Sequence, residues 1–358
     1  MPRKSKGARL YVYRRSGREA VWVIRDGSNQ ESTGCGESDR RGAERALAAY
    51  IANKYQPPKR NGDPQRALIA EALALYLRER APNLADPQRE ATAATFLLDY
   101  WGEQPIGEVR GETCRTYVNL RVNRDGKAQG TARRELETLQ AAINLFHREG
   151  YVVAAPRVTL PQKAPPRDRW LTRDEAEALL DACKTLPKGA RHLGSFVRLG
   201  LYTGTRASAI LALQWQENED GGWIDLDRCI LYRRGAGQIE TRKRRPPSPL
   251  PDALLPWLLE TREMTANHVI EYRGAPVRDI RLGFQTALKR AGLGREVTPH
   301  VLRHTCGTWL AQAGVPIWQA AGYMGLTAAE FERTYAHHHP DHMKDASKAI
   351  SAALGNYV

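Results

Sequence analysis

Hydrophobic and polar positions alternate in short runs over residues 9–33: Leu10-Tyr-Val-Tyr13, Ala20-Val-Trp-Val-Ile24 and Gln30-Glu-Ser-Thr33. Ser16-Gly17-Arg18 and Asp26-Gly27-Ser28-Asn29 separate these runs with turn chemistry, so three short strands are predicted. The period then lengthens, and a helix is predicted over 39–54 with Ala46, Leu47, Tyr50 and Ile51 on one face. After a Pro- and Gly-rich stretch at 56–64, helical spacing predicts four helices: 67–80, 88–101, 111–123 and 131–149. The last carries Leu136, Leu139, Ile143 and Phe146 as one stripe, with Thr131 expected at its N-cap.

A second linker, 156–169, is rich in proline and basic residues. Thr172-Arg-Asp-Glu175 is a capping box that opens a helix to Cys183, and a further helix spans 194–202. Arg206 stands at the mouth of an apolar helix expected to carry Ile210, Leu211, Leu213 and Trp215. A charge at that place must be solvated, paired or functional. Strands are predicted at 223–226, 229–233 and 238–242, with Lys243 in the same group, then a helix over 252–262, a strand at 268–272 and a helix over 280–291. A helix opening at His300 puts His300 and Arg303 on one face, anchored by Leu302, Cys306, Trp309, Leu310 and Ala313. Gly314 stops it, and Pro316 lies in the first turn of the next. Thr327 and Glu330 form a capping box for a last helix bearing Phe331 and Tyr335.

The chain is 358 residues long, enough for two or three domains with cores of their own. No apolar run approaches the ~18 residues that cross a bilayer, and no apolar segment follows the basic N-terminus, so neither a membrane span nor a secretory signal is expected. Five cysteines (Cys35, Cys114, Cys183, Cys229 and Cys306) are scattered and odd in number. That pattern disfavours a disulfide framework or zinc ribbon and fits a reducing cytoplasm. The histidine run His337, His338, His339 and His342 is expected to be a solvated helix end rather than a metal site. Net charge is the strongest global clue. It is +14, and residues 1–60 hold 14 Lys and Arg against 6 Asp and Glu, a surplus of +8. Such a surface favours a polyanion, nucleic acid first. Arg14, Arg15, Arg18 and Arg25 could set the N-terminal strands on phosphates or in a groove, or simply keep a small module soluble.

Taken in order, Thr203-Gly-x-Arg206, Lys243, Pro299-His300-x-Leu302-Arg303-His304-Thr305 and Tyr335 resemble the tyrosine recombinase (phage integrase) family. The resemblance is specific over about 168–345 and looser before it. It implies a mainly α fold with small β elements (α+β): an arm-type DNA-binding module at 1–60, a helical core-binding (SAM-like) domain at 65–155, a catalytic domain at 168–345 and a C-terminal tail at 346–358. It implies that Arg206 and Arg303 grip the non-bridging oxygens of a scissile phosphate, since planar guanidinium forks suit charge that builds in the transition state. Tyr335 is then the nucleophile, His300 the general base and Lys243 the acid for the leaving 5′-oxygen. Tyr323 is the competing tyrosine but has the wrong offset from Arg303. The covalent 3′-phosphotyrosine conserves the bond energy, so no cofactor, nucleotide or metal is called for. The implied partners are double-stranded DNA attachment sites, three further copies in a tetramer on DNA, and accessory DNA-bending or directionality proteins, with no membrane.

The chain departs from the family pattern at three positions. Thr241 stands where the lysine usually lies, Ala209 where an acidic residue often supports the first arginine, and Leu326 where a second histidine or tryptophan is usual. The last departure implies a slower site, a donor recruited from elsewhere, such as His304 or His337, or reliance on packing at Leu326. Integration or excision of a mobile element is the expected function. A topoisomerase-like relaxing enzyme and a DNA-binding regulator with an impaired site are the alternatives at this stage.

Overall fold

The computed structural model describes residues 7–14, 19–55, 62–165, 168–186, 191–238 and 244–354. The chain forms two compact units, Met1–Pro166 and Arg167–Val358.

In the first unit, strands β1 (Arg9–Tyr13), β2 (Val21–Asp26) and β3 (Asn29–Gly36) form an antiparallel sheet in chain order, with Leu10 opposite Ile24. The Gly27-Ser28 turn joins β2 to β3, and Gly27 takes a positive φ of 60° there. Helix α1 (Arg40–Lys54) starts at Asp39, whose carboxylate accepts the Gly42 amide at 2.8 Å. Then come α2 (Ile69–Glu79), α3 (Pro87–Trp101), α4 (Gly111–Asn119) with a π-helical turn to Arg124, and α5 (Gln129–Arg148). The linker at 56–64 does not divide the packing: Leu47 and Ile51 of α1 share one buried cluster with Leu73, Leu97, Trp101 and Phe146. Thr131 is not the cap of α5. The helix begins two residues earlier, after the positive-φ turn at Gly126, with Ala128 at the cap and no side-chain bond. Arg121 and Glu135 pair in a buried fork of 2.9 and 2.6 Å, and Glu135 also accepts the Tyr117 hydroxyl at 2.6 Å. With Arg121 Nη1 bonded to Asp125 at 2.6 Å, every guanidinium nitrogen and both Glu135 oxygens have a partner, which burial of charge requires.

The second unit opens with α6 (Arg173–Lys184), where Thr172 and Glu175 cap reciprocally as their spacing predicts. It continues through α7 (Arg191–Thr203), α8 (Ala207–Leu211), a small antiparallel sheet of β4 (Trp223–Asp225), β5 (Ile230–Tyr232) and β6 (Ser248–Pro249), α9 (Leu255–Met264), the hairpin β7 (Glu271–Tyr272) and β8 (Ala275–Pro276), and α10 (Arg281–Arg290). Helices α11 (Pro299–Gln312), α12 (Ile317–Met324), α13 (Ala328–Tyr335) and α14 (Lys344–Leu354) close it. The fold is mainly α with small β elements.

Three expectations change here. The apolar helix after Arg206 stops at Leu211, because the next backbone groups are claimed from outside. Val269 donates to the Leu213 carbonyl, and Trp215 donates to that of Asn267. Ser248–Pro249 pairs with β5 on the edge opposite β4, while the strand expected at 238–242 lies outside the described residues apart from Gln238. The expected strand at 268–272 contracts to Glu271–Tyr272, since His268 bridges instead to Gln214. The residues expected as a tail carry most of α14.

Helices α7 and α11 cross closely, because Gly200 has no side chain: a Cβ there would meet Leu302 Cδ1 at 2.8 Å. Gly314 (φ 70°) ends α11, and Gly325 (φ 66°) ends α12. A small separate core lies under α12 and α13, built from Ala320, Met324, Phe331 and Tyr335.

Candidate active site

Gly204 (φ 59°) turns the chain sharply between α7 and α8. Its carbonyl accepts Nη1 of Arg303 at 2.6 Å, so the loop before α8 and the first turns of α11 are tied together. Arg206 is the N-cap residue of α8 and donates to the Arg244 carbonyl at 3.2 Å. The turn at Gly325 holds that carbonyl close, since a Cβ on Gly325 would stand 2.8 Å from the Arg244 oxygen. Arg206 thus has a backbone support where an acidic residue at position 209 was the usual one.

Arg303 is 4% exposed, and its Nη2 is enclosed without a hydrogen-bond partner among the described residues. Burial, reinforced by the charges of Arg206 and Arg233, pushes its pKa down to about 10. Arg233, which sequence reading did not single out, is equally buried behind it. It is fully bonded: to the Thr205 hydroxyl at 2.9 Å, the Thr203 carbonyl at 2.8 Å and the Pro246 carbonyl at 3.1 Å. Its only advance signal was an arginine ending an apolar strand. No ion pair to Arg206, Arg233 or Arg303 occurs among the described residues. Three guanidiniums therefore share one region with no carboxylate in contact, an arrangement made for an anion.

Tyr335 ends α13 and is 4% exposed. Its ring lies over Gly307 of α11, where a Cβ would be 2.5 Å from Cζ. The Tyr335 hydroxyl lies 3.3 Å from Nδ1 of His304. Burial pushes the phenol up to about 12, while Arg303 pulls the other way. His300 sits at the rim of α11 with its ring 4.6 Å from that of His304. Partial burial, His304, Arg303 and Arg206 hold its pKa below the ordinary histidine range. Tyr323 is tied elsewhere: its hydroxyl donates to the Tyr202 carbonyl at 2.8 Å. Leu326 packs partly buried against the small core under α12 and α13 and offers no donor. Arg206, His300, Arg303 and Tyr335 are thus brought together. Lys243 lies outside the described residues.

The histidines after Tyr335 are not simply a solvated helix end. His337 and His338 lie 3.4 and 3.6 Å from the two carboxylate oxygens of Asp168, and the His338 ring packs against Trp170. These three side chains could hold a metal ion, their ligand atoms lying within 4.8 Å of one another. They also brace the chain that follows the tyrosine.

Residues 169–342 match the phage integrase family. Over 250 residues (64% of this chain and 60% of the other) the sequence is 29% identical to the integrase of Salmonella phage P22. It is 29% identical over 239 residues to tyrosine recombinase XerC of Oceanobacillus iheyensis, covering 62% of this chain and 75% of that one. The fold is similar to that of a lambda integrase in a tetramer bound to a Holliday junction, with TM-score 0.55 and 19% identity over 92% of this chain and 96% of that one. Residues 169–342 thus form a domain of the phage integrase family, the family of tyrosine recombinases. The match to the P22 protein takes in less than two thirds of that protein's length. Among the described residues, no helix is long and apolar enough to cross a membrane.

Proposed function

We propose that this chain is a site-specific DNA recombinase that integrates or excises a mobile element through a 3′-phosphotyrosine on Tyr335. The observation that carries the reading is the Nη2 of Arg303. A buried donor left unbonded costs roughly 1–3 kcal/mol, more when charged, and here it lies among arginines that form no ion pair among the described residues, beside the one tyrosine that α13 presents. A non-bridging phosphate oxygen would answer it. Arg206, held by the Arg244 carbonyl, takes the second oxygen, and His300 stands at the opening of α11 beside them. The phosphorane-like transition state carries more charge than the diester, so this pair stabilises it more than the ground state. Lys243 is the acid that protonates the leaving 5′-oxygen.

The domain roles belong to the same proposal. The outer face of the N-terminal sheet exposes Tyr11, Tyr13 and Arg25, with the Arg25 guanidinium 5.6 Å over the Tyr11 ring, which suits an arm that meets DNA. The helices over 65–155 serve as the core-binding domain. The working assembly is a tetramer on two attachment sites, assisted by accessory DNA-bending or directionality proteins.

The test is a nicked duplex carrying DNA that flanks the gene, on which one cleaved strand end diffuses away and traps the covalent step. The expected outcome is a denaturant-resistant DNA–protein adduct from the wild type and none from Tyr335→Phe. Tight binding without an adduct in the wild type would overturn the reading, and sequence-independent relaxation of any supercoiled plasmid would convert it to a topoisomerase.

A further inference from the structure

We infer that His304 is the group that takes the proton from Tyr335, an assignment that rests on the recombinase reading and adds a catalytic residue to it. Helix α11 carries His300, Arg303, His304 and Gly307 at spacings of three, four and seven, which align as one stripe. Gly307 is the seat of the stripe. With a hydrogen in place of a side chain it admits the Tyr335 ring, and a Cβ would lie 2.5 Å from Cζ and 2.8 Å from both Cε atoms. A ring seated there swings its hydroxyl to His304, not to His300. The one hydrogen bond of the Tyr335 hydroxyl among the described residues is the 3.3 Å contact to His304 Nδ1. His300 lies beside His304, the two imidazoles nearly perpendicular at 4.6 Å.

The charges around the pair suit the task. Burial and Arg303 on α11 favour a neutral His304, which can accept a proton, while Asp168, from the segment before α6, favours the imidazolium that forms. Arg303 and the Cys306 thiol act on the phenol from α11, and His337 and His338, which follow Tyr335 in the chain, lie beside Asp168. In the step, His304 carries its own hydrogen on Nε2 and accepts the phenolic proton at Nδ1 as the Oη–P bond forms. The P–O5′ bond breaks, and the 5′-oxygen leaves with the proton of Lys243. Rejoining runs the same transfers backwards, His304 returning the proton to the departing tyrosine.

The experiment is single-turnover cleavage of the same nicked duplex, with and without sulfur in place of the bridging 5′-oxygen, by wild type, His304→Ala, His304→Gln and Lys243→Ala. DNA affinity and melting temperature check that the variants fold. His304→Ala is expected to bind DNA within about twofold of wild type yet cleave 10²–10⁴ times more slowly, the range for a lost general base. Sulfur should restore Lys243→Ala, because a thiolate leaves without a proton, and leave His304→Ala slow. Its residual rate should climb about tenfold per pH unit from 7 to 9 as hydroxide replaces the lost base, where the wild type is flat. His304→Gln, which can keep the hydrogen bond but cannot hold the proton, should be as slow as the alanine variant. A His304→Ala rate or pH profile equal to wild type, rescue by sulfur, or recovery in His304→Gln would overturn the assignment. A wild type that forms no adduct would sink the recombinase reading and this inference together. A normal adduct in wild type and His304→Ala alike would remove the inference alone.

Discussion

Gly307 and Tyr335 form a pair that neither residue announces by itself. A tyrosine ring cannot yield the way a flexible chain can, so the methyl group of Gly307→Ala, 2.5 Å from Cζ, has to push the ring out of its seat. The expected result is a loss of about 1–3 kcal/mol in stability, the usual cost of overpacking, read by denaturant unfolding. Cleavage should fall further than stability predicts, since a misplaced nucleophile of about 1 Å can cost 10²-fold. A variant that melts normally and forms adduct at the wild-type rate would show that the seat does not set the hydroxyl. At this scale sequence reading found the charged and aromatic members but not the glycine, nor Arg233. Both act through contacts with residues far along the chain, and nothing in their local spacing marks them.

At the scale of elements, α13 is short, eight residues, and carries the tyrosine at its last position. So short a helix is marginal without its ends. Thr327 accepts the Glu330 amide, and Glu330 reaches back to the Thr327 amide at 2.8 Å, satisfying two orphan donors at once. Thr327→Ala should therefore cost about 1 kcal/mol and slow adduct formation, while Thr327→Ser should restore both. Equal melting and cleavage in all three proteins would mean that packing of Phe331 alone holds the helix. These capping boxes, at Thr172 and Thr327, were legible because they are local. The short strands were read less well. Ser248–Pro249 is a strand only because β5 offers it an edge, and the run from Leu213 to Trp215 leaves its expected helix because distant carbonyls and amides compete for it.

For the whole molecule, the surplus of +14 and the cluster of arginines without an ion pair among the described residues make one claim about binding. If six or more phosphates are neutralised, affinity for a duplex should drop about 10³-fold or more between 50 and 200 mM salt, measured by fluorescence anisotropy on the full chain. Deleting residues 1–54 should flatten that slope, if the sheet of β1 to β3 and helix α1 carry their share of the phosphates. A salt slope near zero, or one unchanged by the deletion, would refute the arm role. The single buried core that α1 shares with α2, α3 and α5 adds that this deletion also uncovers Leu73 and its neighbours, so the truncated protein must be checked for folding before its slope is read.

By itself the sequence determined the class of fold, the order of most helices, the capped ends and the identity of Arg206, His300, Arg303 and Tyr335 as candidates. All of these rest on short-range periodicity or on motif spacing along the chain. The tertiary structure decided what those candidates touch. It hung Arg206 on the Arg244 carbonyl in place of an acidic partner, left one nitrogen of Arg303 unbonded, tied Tyr323 to Tyr202 and set the Tyr335 hydroxyl on His304. Such pairings join positions 31 to 121 residues apart, and at the glycines 200, 307 and 325 neighbouring segments approach more closely than a side chain would allow. Close approach is a property of packing between elements, and no window of sequence contains it.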